Sequence, residues 1–289
     1  MIKQILKKYS DYFAIMPASV LSKERGFLQN KIAKGIPQHM SYLERNPNMR
    51  VDIKQWFPQT KSIILILFPY WNSKMSEQKT IMSKKSWLKL RQLRGNKKPP
   101  VISDEHLDNL KDVKLARYTL SRDYHEVVGN ILKEILLKLK ESSSMLEGKI
   151  FVDSSPVMEK ALSQKAGLGN IGKNMILINK EIGSYFFIGG IAVSEDLGEY
   201  LSTQKSPQNL CDICDDKCIK ACPNNALSDN GLDYEKCFSC WNTQTKTSIP
   251  KDVEKKMTNL VEGCDICQQV CPYNQKTECK ILEGLKPMC

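Results

Sequence analysis

The sequence predicts an α+β protein of two parts, a mixed helix-and-strand domain followed by a smaller cysteine-rich domain. Helical and strand-like hydrophobic patterns alternate up to about residue 200, as in mixed folds. All 11 cysteines lie beyond residue 210. A polar stretch, LSTQKSPQN at residues 201–209, separates the two parts. We therefore expect one domain at residues 1–200 and a second at 201–289.

Hydrophobic spacing predicts the main elements of the first domain. A long apolar run, KSIILILFPY, is typical of a strand that is buried on both faces. KIFVD is predicted to be a strand that ends at Asp153, and VMEKALSQKAG a helix that stops at Gly167. Two helical stripes are also present: Ile2, Ile5, Leu6, Tyr9 and Phe13, then Val127, Val128, Ile131, Leu132, Ile135, Leu136 and Leu139.

The segment after Gly167 predicts a strand hairpin. NMILIN and SYFFIGGIAV are strand-like, and KEIG between them is turn-like. The second arm contains a Gly-Gly pair, which is unusual within a strand.

Composition and charge narrow the class of protein. An apolar content of 41% over 289 residues is sufficient for ordinary folded cores. We expect a cytoplasmic protein, because the start lacks a secretory apolar region and no apolar run is long enough to span a bilayer. The formal net charge of +11 suits a polyanion such as RNA. Part of that charge lies in the stretch Ser73 to Pro100, which we expect to be a solvated or mobile insertion.

The cysteines form two runs that each end in Cys-Pro, as in bacterial ferredoxins. In that pattern the last cysteine of each run ligates the partner cluster. One 4Fe-4S cluster would then take Cys211, Cys214, Cys218 and Cys271, and the other Cys222, Cys264 and Cys267 with Cys237 or Cys240. Tetrahedral zinc sites are the alternative.

The spacing within the first run and the two remaining cysteines need separate comment. The first run has three residues, not two, between Cys214 and Cys218, which predicts a bulged loop. Cys279 and Cys289 are left over, and we expect exposed or tail thiols there.

Two clusters in one chain indicate transfer of single electrons, so the first domain is expected to hold the electron acceptor.

The first domain lacks the usual nucleotide motifs. No Gly-x-Gly-x-x-Gly follows a strand, and no Gly-Lys-Ser or Gly-Lys-Thr is present. The stretch GLGNIGKN is glycine-rich and follows a helix. Its glycines fit either the close approach of a large planar cofactor or a tight turn.

Taken together, these segments resemble one family. The block VDSSPVMEKALSQKAGLGNIGKNMILINKEIGSYFFIGGI, the stretches ARYTLSRDYH and ERNPNMRVD, and the cysteine runs with KCFSC between them are similar to epoxyqueuosine reductase. The resemblance runs through nearly the whole chain. It implies a nitroreductase-like, cobalamin-binding core followed by a ferredoxin-like domain with two 4Fe-4S clusters. It also implies reduction of epoxyqueuosine to queuosine at the tRNA wobble position.

The resemblance assigns roles to particular residues. Asp153 matches the proton donor, for which we expect burial to raise the pKa and keep the acid protonated; a helix cap or an Asx turn is the alternative. Cys237 is preferred to Cys240 for the second cluster, and Tyr124 and His125 are expected on the substrate side. Asp153 also belongs to the matched corrinoid contacts, with Arg50, Arg117, Lys173, Asn174, Ser184 and Ser239.

The expected partners are tRNA carrying epoxyqueuosine and an external electron donor such as a flavodoxin or ferredoxin, with the protein a monomer away from membranes. Many family members continue into a helical-repeat domain that helps to hold tRNA; here the basic surface is the alternative source of RNA affinity. Two other functions stay open. One is a related corrinoid reductase with another substrate, and the other is an electron-transfer protein without corrinoid.

Overall fold

The computed structural model describes residues 1–95, 100–202, 210–246 and 248–288. Most of the expected domain boundary, residues 203–209, lies outside the described residues. The helices are α1 (Ile2–Lys7), α2 (Ser22–Ala33), α3 (Pro47–Val51), α4 (Ile53–Trp56), α5 (Lys84–Leu93), α6 (Asp104–Asp108), α7 (Tyr124–Ser142), α8 (Glu159–Lys165), α9 (Lys217–Lys220), α10 (Phe238–Gln244), α11 (Lys251–Lys256) and α12 (Ile266–Gln269). The strands are β1 (Phe13–Pro17), β2 (Ser62–Pro69), β3 (Ile81–Ser83), β4 (Asp112–Leu115), β5 (Gly148–Phe151), β6 (Asn170–Ile171), β7 (Leu177–Ile178), β8 (Phe186–Val193), β9 (Leu227–Ser228), β10 (Gly231–Leu232) and β11 (Leu260–Glu262).

A four-stranded antiparallel sheet forms the centre of the first part, with strand order β1-β2-β8-β5. Every residue of β2 is buried, which confirms the strand predicted from its continuous apolar run. The long helix α7 packs against β8 and β5. Its buried face includes Val128, Leu132, Ile135 and Leu139, as its hydrophobic stripe predicts.

The Gly-Gly pair of β8 lies where neighbouring groups approach the strand closely. A Cβ atom on Gly189 would come 2.8 Å from a methyl group of Val128 on α7. A Cβ atom on Gly190 would overlap the ring of Phe151 and meet the carbonyl oxygen of Ile64 at 2.8 Å. These glycines are therefore needed for packing on both faces of the sheet.

The predicted hairpin is wrong in its pairing. Strand β7 pairs with β6, while β8 leaves the turn and joins the central sheet between β2 and β5. Only an isolated bridge between Asn179 and Gly183 remains of the expected ladder. The hydrophobic pattern of β8 is the same whether it pairs with β7 or with β2 and β5, so the pattern does not predict the partner.

Other element boundaries are partly as predicted. Helix α8 ends beside Gly167, whose φ of +80° is the left-handed conformation expected there. The opening helix stops at Lys7, and Phe13 begins β1 instead of extending the helical stripe. Ser10 lies between them, and its hydroxyl donates to the carbonyl oxygen of Leu67 at 2.6 Å.

The stretch from Ser73 to Pro100 is not a loose insertion in its described part. It contains β3 and α5, and the side chain of Trp87 on α5 is 0% exposed. The indole of Trp87 donates to Glu262 at 2.9 Å. Trp87 and Glu262 are 175 residues apart in the chain. The basic composition of the segment gives no sign of such a distant partner, so the segment was expected to be solvated.

A second sheet joins the two parts of the chain. Its strand order is β11-β4-β3, and β11 from the cysteine-rich part pairs in parallel with β4. Short helices and turns otherwise organise the cysteine-rich part. The predicted α+β class is confirmed. Among the described residues, no helix has both the length and the apolar content needed to cross a membrane.

Candidate functional site

Asp153 follows the end of β5 in a left-handed backbone conformation, with φ of +51°. Its amide nitrogen donates to Oε1 of Glu159 at 2.6 Å. Its carboxylate oxygen Oδ2 accepts from the hydroxyl of Tyr124 at 2.8 Å and contacts Nε2 of His125 at 3.0 Å. Asp153 is thus the centre of a polar cluster that includes both residues expected on the substrate side.

The expected protonation of Asp153 is wrong. Partial desolvation raises the pKa of its carboxyl, but hydrogen bonds from His125 and Tyr124, with their charges, lower it more, so the pKa lies below its ordinary value. The side chain is 60% exposed, which limits the effect of burial. Asp153 is therefore ionised near neutral pH, so any proton held between it and its partners lies on a neighbouring side chain.

His125 is the neighbour best placed to hold that proton. Its Nε2 faces Asp153 and its Nδ1 faces Asp123 at 2.9 Å, so an imidazolium would donate to a carboxylate on each side. The hydrogen bond with Asp153 raises the pKa of His125, and the one with Asp123 adds to it against partial desolvation. Asp123 also caps α7 by accepting from the His125 amide.

Glu159 is a site residue that sequence reasoning missed. Burial raises the pKa of Glu159 to about 8, and the nearby Asp153 charge contributes. The Glu159 side chain is therefore mostly protonated at neutral pH, while its Oε1 atom accepts the hydrogen bond from the Asp153 amide. It lies within the VDSSPVMEK block, but nothing in its helical pattern distinguishes it from an ordinary first-turn acid.

Tyr42, Arg50 and Lys160 lie near this cluster. Burial raises the pKa of Tyr42 to about 12, and charges on Cys240, Arg50 and Asp153 act on it, so these groups lie near Tyr42. Arg50 donates to the Tyr42 carbonyl oxygen at 2.6 Å and is half-buried. Desolvation lowers the pKa of Lys160, and the charges of Cys240, Glu159 and Asp153 oppose this change.

The predicted corrinoid contacts divide into three places. Asp153 and Arg50 lie near Tyr42, and Ser239 is the neighbour of Cys240 on α10, which also acts on Tyr42. Arg117 and Ser184 are enclosed by protein: Arg117 contacts Asp265, and the Ser184 hydroxyl lies 2.9 Å from Nδ2 of Asn274. Lys173 and Asn174 line a cavity beside cysteines. Their roles toward a corrinoid stay predictions.

That cavity is bordered by the first predicted group of thiols. It is lined by Cys211, Cys214, Cys218 and Cys271 together with Lys173, Asn174 and Tyr273. Burial raises the pKa of Cys271, and the charges of the other three thiols add to it. The last cysteine of the second run therefore lies with the first run, where the ferredoxin pattern places it.

The extra residue of the first run forms the expected bulged loop. Asp215 and Asp216 are both left-handed, with φ of +47° and +54°. Lysine side chains contact each of them: Lys220 at 2.5 Å from Asp215 and Lys173 at 2.6 Å from Asp216. Two left-handed aspartates thus take up the additional residue between Cys214 and Cys218.

The second predicted group surrounds Cys264. Burial raises the pKa of Cys264 to about 12, and charges on Cys237 and Cys222 contribute. Burial also raises the pKa of Cys267, and charges on Cys264 and Cys237 contribute. Cys240 is hydrogen-bonded to Cys237 and acts on Tyr42 and Tyr234. Because Cys237, and not Cys240, acts on both Cys264 and Cys267, Cys237 is favoured as the ligand. Within the described ranges, no three Cys, His, Asp or Glu side chains could hold a single metal ion.

Cys279 is not an exposed thiol. It is buried, and its sulfur lies 3.7 Å from the carbonyl oxygen of Trp71. Cys289 lies outside the described residues.

Comparisons with known proteins agree with this arrangement. The model for a 4Fe-4S double cluster binding domain matches residues 209–274, and the model for epoxyqueuosine reductase QueG, DUF1730, matches residues 94–154. Epoxyqueuosine reductase of Cyclobacterium marinum is 34% identical over 279 residues, which cover 94% of this chain and 79% of the relative. That of Leadbetterella byssophila is 31% identical and covers 91% of this chain and 75% of the relative.

Solved structures share the fold. A crystal structure of epoxyqueuosine reductase with an epoxyqueuosine-modified tRNA-Tyr stem loop has a TM-score of 0.75 at 22% identity, covering 99% of this chain and 68% of that one. The chain is therefore an α+β protein with a double 4Fe-4S cluster domain. It belongs to the epoxyqueuosine reductase family, as the relatives matched over most of its length establish.

Proposed function

We propose that this chain reduces epoxyqueuosine to queuosine in the wobble position of tRNA, with cobalamin and two 4Fe-4S clusters as cofactors. One observation carries the proposal: Asp153, held by His125 and Tyr124, lies near Tyr42, on which Arg50 and Cys240 also act. A proton source and the thiol-rich part of the chain thus lie close together. Relatives matched over most of their length bear the corresponding name.

The residues present fit the implied cofactors. For the clusters, four thiols border one cavity, and three more lie around Cys264; the ligand sets are Cys211, Cys214, Cys218 and Cys271, and Cys222, Cys237, Cys264 and Cys267. For cobalamin, Arg50, Asp153 and Ser239 offer charged and polar groups suited to the amide side chains of a corrin, near Tyr42. When bound, cobalamin supplies two electrons to the epoxide and the clusters supply single electrons to cobalamin.

The chain itself manages protons. Opening an epoxide and forming the alkene consumes two electrons and two protons and releases water. His125 holds one proton at Nε2, and the Asp153 carboxylate orients that ring and accepts from Tyr124. The departing oxygen takes one proton from this pair and its second from solvent to leave as water. Glu159 fixes the Asp153 backbone through the amide bond and is a neutral acid near neutral pH.

Partners and organisation follow from the same proposal. The substrate is tRNA carrying epoxyqueuosine, and the formal net charge of +11 favours the phosphate backbone. Electrons come from an external donor such as a flavodoxin or ferredoxin. The protein acts as a cytoplasmic monomer, with the catalytic domain at residues 1–200 and the ferredoxin-like domain at 201–289.

The proposal is tested by anaerobic reconstitution with iron, sulfide and cobalamin, followed by assay on epoxyqueuosine-containing tRNA under a strong reductant. Conversion to queuosine tRNA is the expected result. Cobalamin binding without conversion would overturn the substrate in favour of a related corrinoid reductase. Clusters without cobalamin binding would instead indicate an electron-transfer protein.

A matched pair of variants examines the site. Asp153→Ala should keep iron and cobalamin but lower turnover by about 100-fold or more, as expected for loss of acid-base assistance. Ser154→Ala changes the next exposed residue, whose hydroxyl donates only to the nearby Val152 carbonyl oxygen, and should leave turnover near the wild-type value. Equal activity in both variants would remove Asp153 from the mechanism.

A further inference from the structure

The side-chain amide of Asn174 is buried with a free donor. Asn174 is 4% exposed, and its Nδ2 atom has no hydrogen-bond partner in the described part of the protein. The residue lines the cavity bordered by the first group of thiols. An unpaired buried N–H group costs free energy comparable to a lost hydrogen bond, so such donors normally face an acceptor.

The orientation of this amide is fixed by its other atom. Oδ1 of Asn174 accepts from the backbone N–H of Ile176 at 3.2 Å, which leaves Nδ2 as the group without a protein partner. Among the described residues, no protein oxygen accepts a hydrogen bond from Nδ2. The geometry therefore assigns the donor, and not the acceptor, to the open position.

The preceding residue already donates to a cluster thiol. The backbone N–H of Lys173 lies 3.3 Å from the sulfur of Cys211. The side chain of Lys173 is held by Asp216 at 2.6 Å and by Asp229 at 3.1 Å. Because Asp216 belongs to the bulged loop before Cys218, this ion pair ties the Gly-Lys-Asn turn to the first run of cysteines.

We infer that Asn174 donates through Nδ2 to a sulfur of the first 4Fe-4S cluster and, with the Lys173 amide, sets the reduction potential of that cluster. The inference rests on the cluster occupancy in the proposed function, and it assigns these two residues to the cluster rather than to the corrinoid. Hydrogen bonds to cluster sulfurs stabilise the more negative, reduced state. Removing the donor should therefore make the cluster harder to reduce.

The test is an anaerobic redox titration of the reconstituted full chain, followed by electron paramagnetic resonance. Asn174→Leu has nearly the same volume and no donor. Of the two one-electron reduction steps, only one should move to more negative potential. We expect the reduced-to-oxidised ratio of that cluster to fall about tenfold at fixed potential, which corresponds to about 59 mV.

Two further variants keep the inference falsifiable. Asn174→Asp retains Oδ1 for Ile176 but replaces the donor, so it should shift the same step in the same direction. Asn179→Leu removes an amide from the next turn, after β7, whose Nδ2 donates to the Leu168 carbonyl oxygen, and it should leave both potentials unchanged. Loss of four of eight irons in both Asn174 variants, but not in Asn179→Leu, would also support direct contact.

The outcomes separate this inference from the proposed function. Potentials that stay unchanged in both Asn174 variants, or that move equally in Asn179→Leu, overturn the inference, even if the wild type converts epoxyqueuosine tRNA. A wild type without conversion, in which the Asn174 variants still shift one potential, overturns the substrate assignment and leaves the inference standing. The titration needs neither tRNA nor cobalamin.

Discussion

At the scale of single residues, His125 and Asp153 share one proton, and each sets the affinity of the other for it. The carboxylate raises the pKa of the imidazole, while the imidazole and Tyr124 lower the pKa of the carboxyl. Both shifts favour the ion pair of imidazolium and carboxylate. Opposite shifts in two neighbouring groups are common where proton transfer occurs.

This pairing predicts how turnover depends on pH. The imidazolium is fully present below the raised pKa of His125 and is lost as pH rises through it, so kcat/KM should fall on the alkaline side. Asp153→Asn removes the strongest cause of the shift and should return the imidazole pKa toward 6.5. Proton magnetic resonance titration of the three histidines measures it directly.

The control for that titration is Asp123→Asn. Asp123 is the second carboxylate partner of His125, with a smaller effect on its pKa. The imidazole pKa should therefore fall less than in Asp153→Asn, and turnover should persist. An imidazole pKa that is the same in the wild type and in Asp153→Asn contradicts the shared proton.

A second residue-scale prediction concerns Cys237, which precedes α10, and Cys240, which lies within it. Cys237→Ser should remove one cluster and lower iron from about eight to about four per chain, whereas Cys240→Ser should keep all of it. The reason is that Cys237, and not Cys240, acts on both Cys264 and Cys267. Iron and sulfide analysis decides; four irons in Cys240→Ser would reverse the assignment.

The sequence was sufficient to predict how the cysteines group, but not to predict the protonation state of Asp153. Cysteine spacing is local chemistry, so the ferredoxin pattern already grouped Cys271 with the first run. The pKa of Asp153 depends on Tyr124 and His125, which are 29 and 28 residues away. Burial of an isolated acid predicts a rise in pKa, and only the folded partners reverse it.

At the scale of elements, the Gly-Gly pair of β8 lets α7 pack closely on the central sheet and leaves room for the Phe151 ring of β5. Gly190→Ala should destabilise the protein by about 1–3 kcal/mol, because the new methyl group would overlap Phe151. Gly26→Ala is the matched control: it lies within α2, has open space around it, and should stabilise by about 0.5–1 kcal/mol. Denaturant midpoints of both variants test the difference in sign.

Elements with a clear local hydrophobic pattern were predictable from the sequence. Features that depend on residues distant in the chain were not. β2 is apolar at every position and is buried at every position. β8 has an equally clear strand pattern, yet its pairing depends on β2 and β5 rather than on the preceding β7. The burial of Trp87 likewise depends on Glu262, so the charges around it suggested a solvated segment.

At the scale of the whole molecule, a buried ion pair connects the first part of the chain with the second group of cysteines. Arg117 and Asp265 are 4% and 3% exposed, and their side chains lie 2.9 Å apart. The Arg117 amide donates to the same carboxylate, and its guanidinium lies over the rings of Trp71 and Tyr185. Asp265 lies between Cys264 and Cys267, so the pair holds the loop that carries two predicted ligands.

Breaking this pair should affect both stability and iron content. Arg117→Met keeps most of the side-chain volume but leaves Asp265 buried without its charged partner, which should cost about 3–5 kcal/mol. The same change should loosen the Cys264 loop and lower iron from about eight to about four per chain. Lys74→Met is the control, because the Lys74–Glu278 pair also joins distant parts of the chain but is about 70% exposed on both sides.

An exposed pair of this kind contributes at most about 1 kcal/mol, so Lys74→Met should keep its iron and nearly all of its stability. Asp265→Asn combined with Arg117→Met should cost less than the sum of the single changes, since neither partner is then left as a lone buried charge. Chemical denaturation and iron analysis of the wild type, the three single variants and the double variant measure both effects. Equal losses in Arg117→Met and Lys74→Met would mean that the two parts are held together by packing and by the β4–β11 pairing rather than by this ion pair.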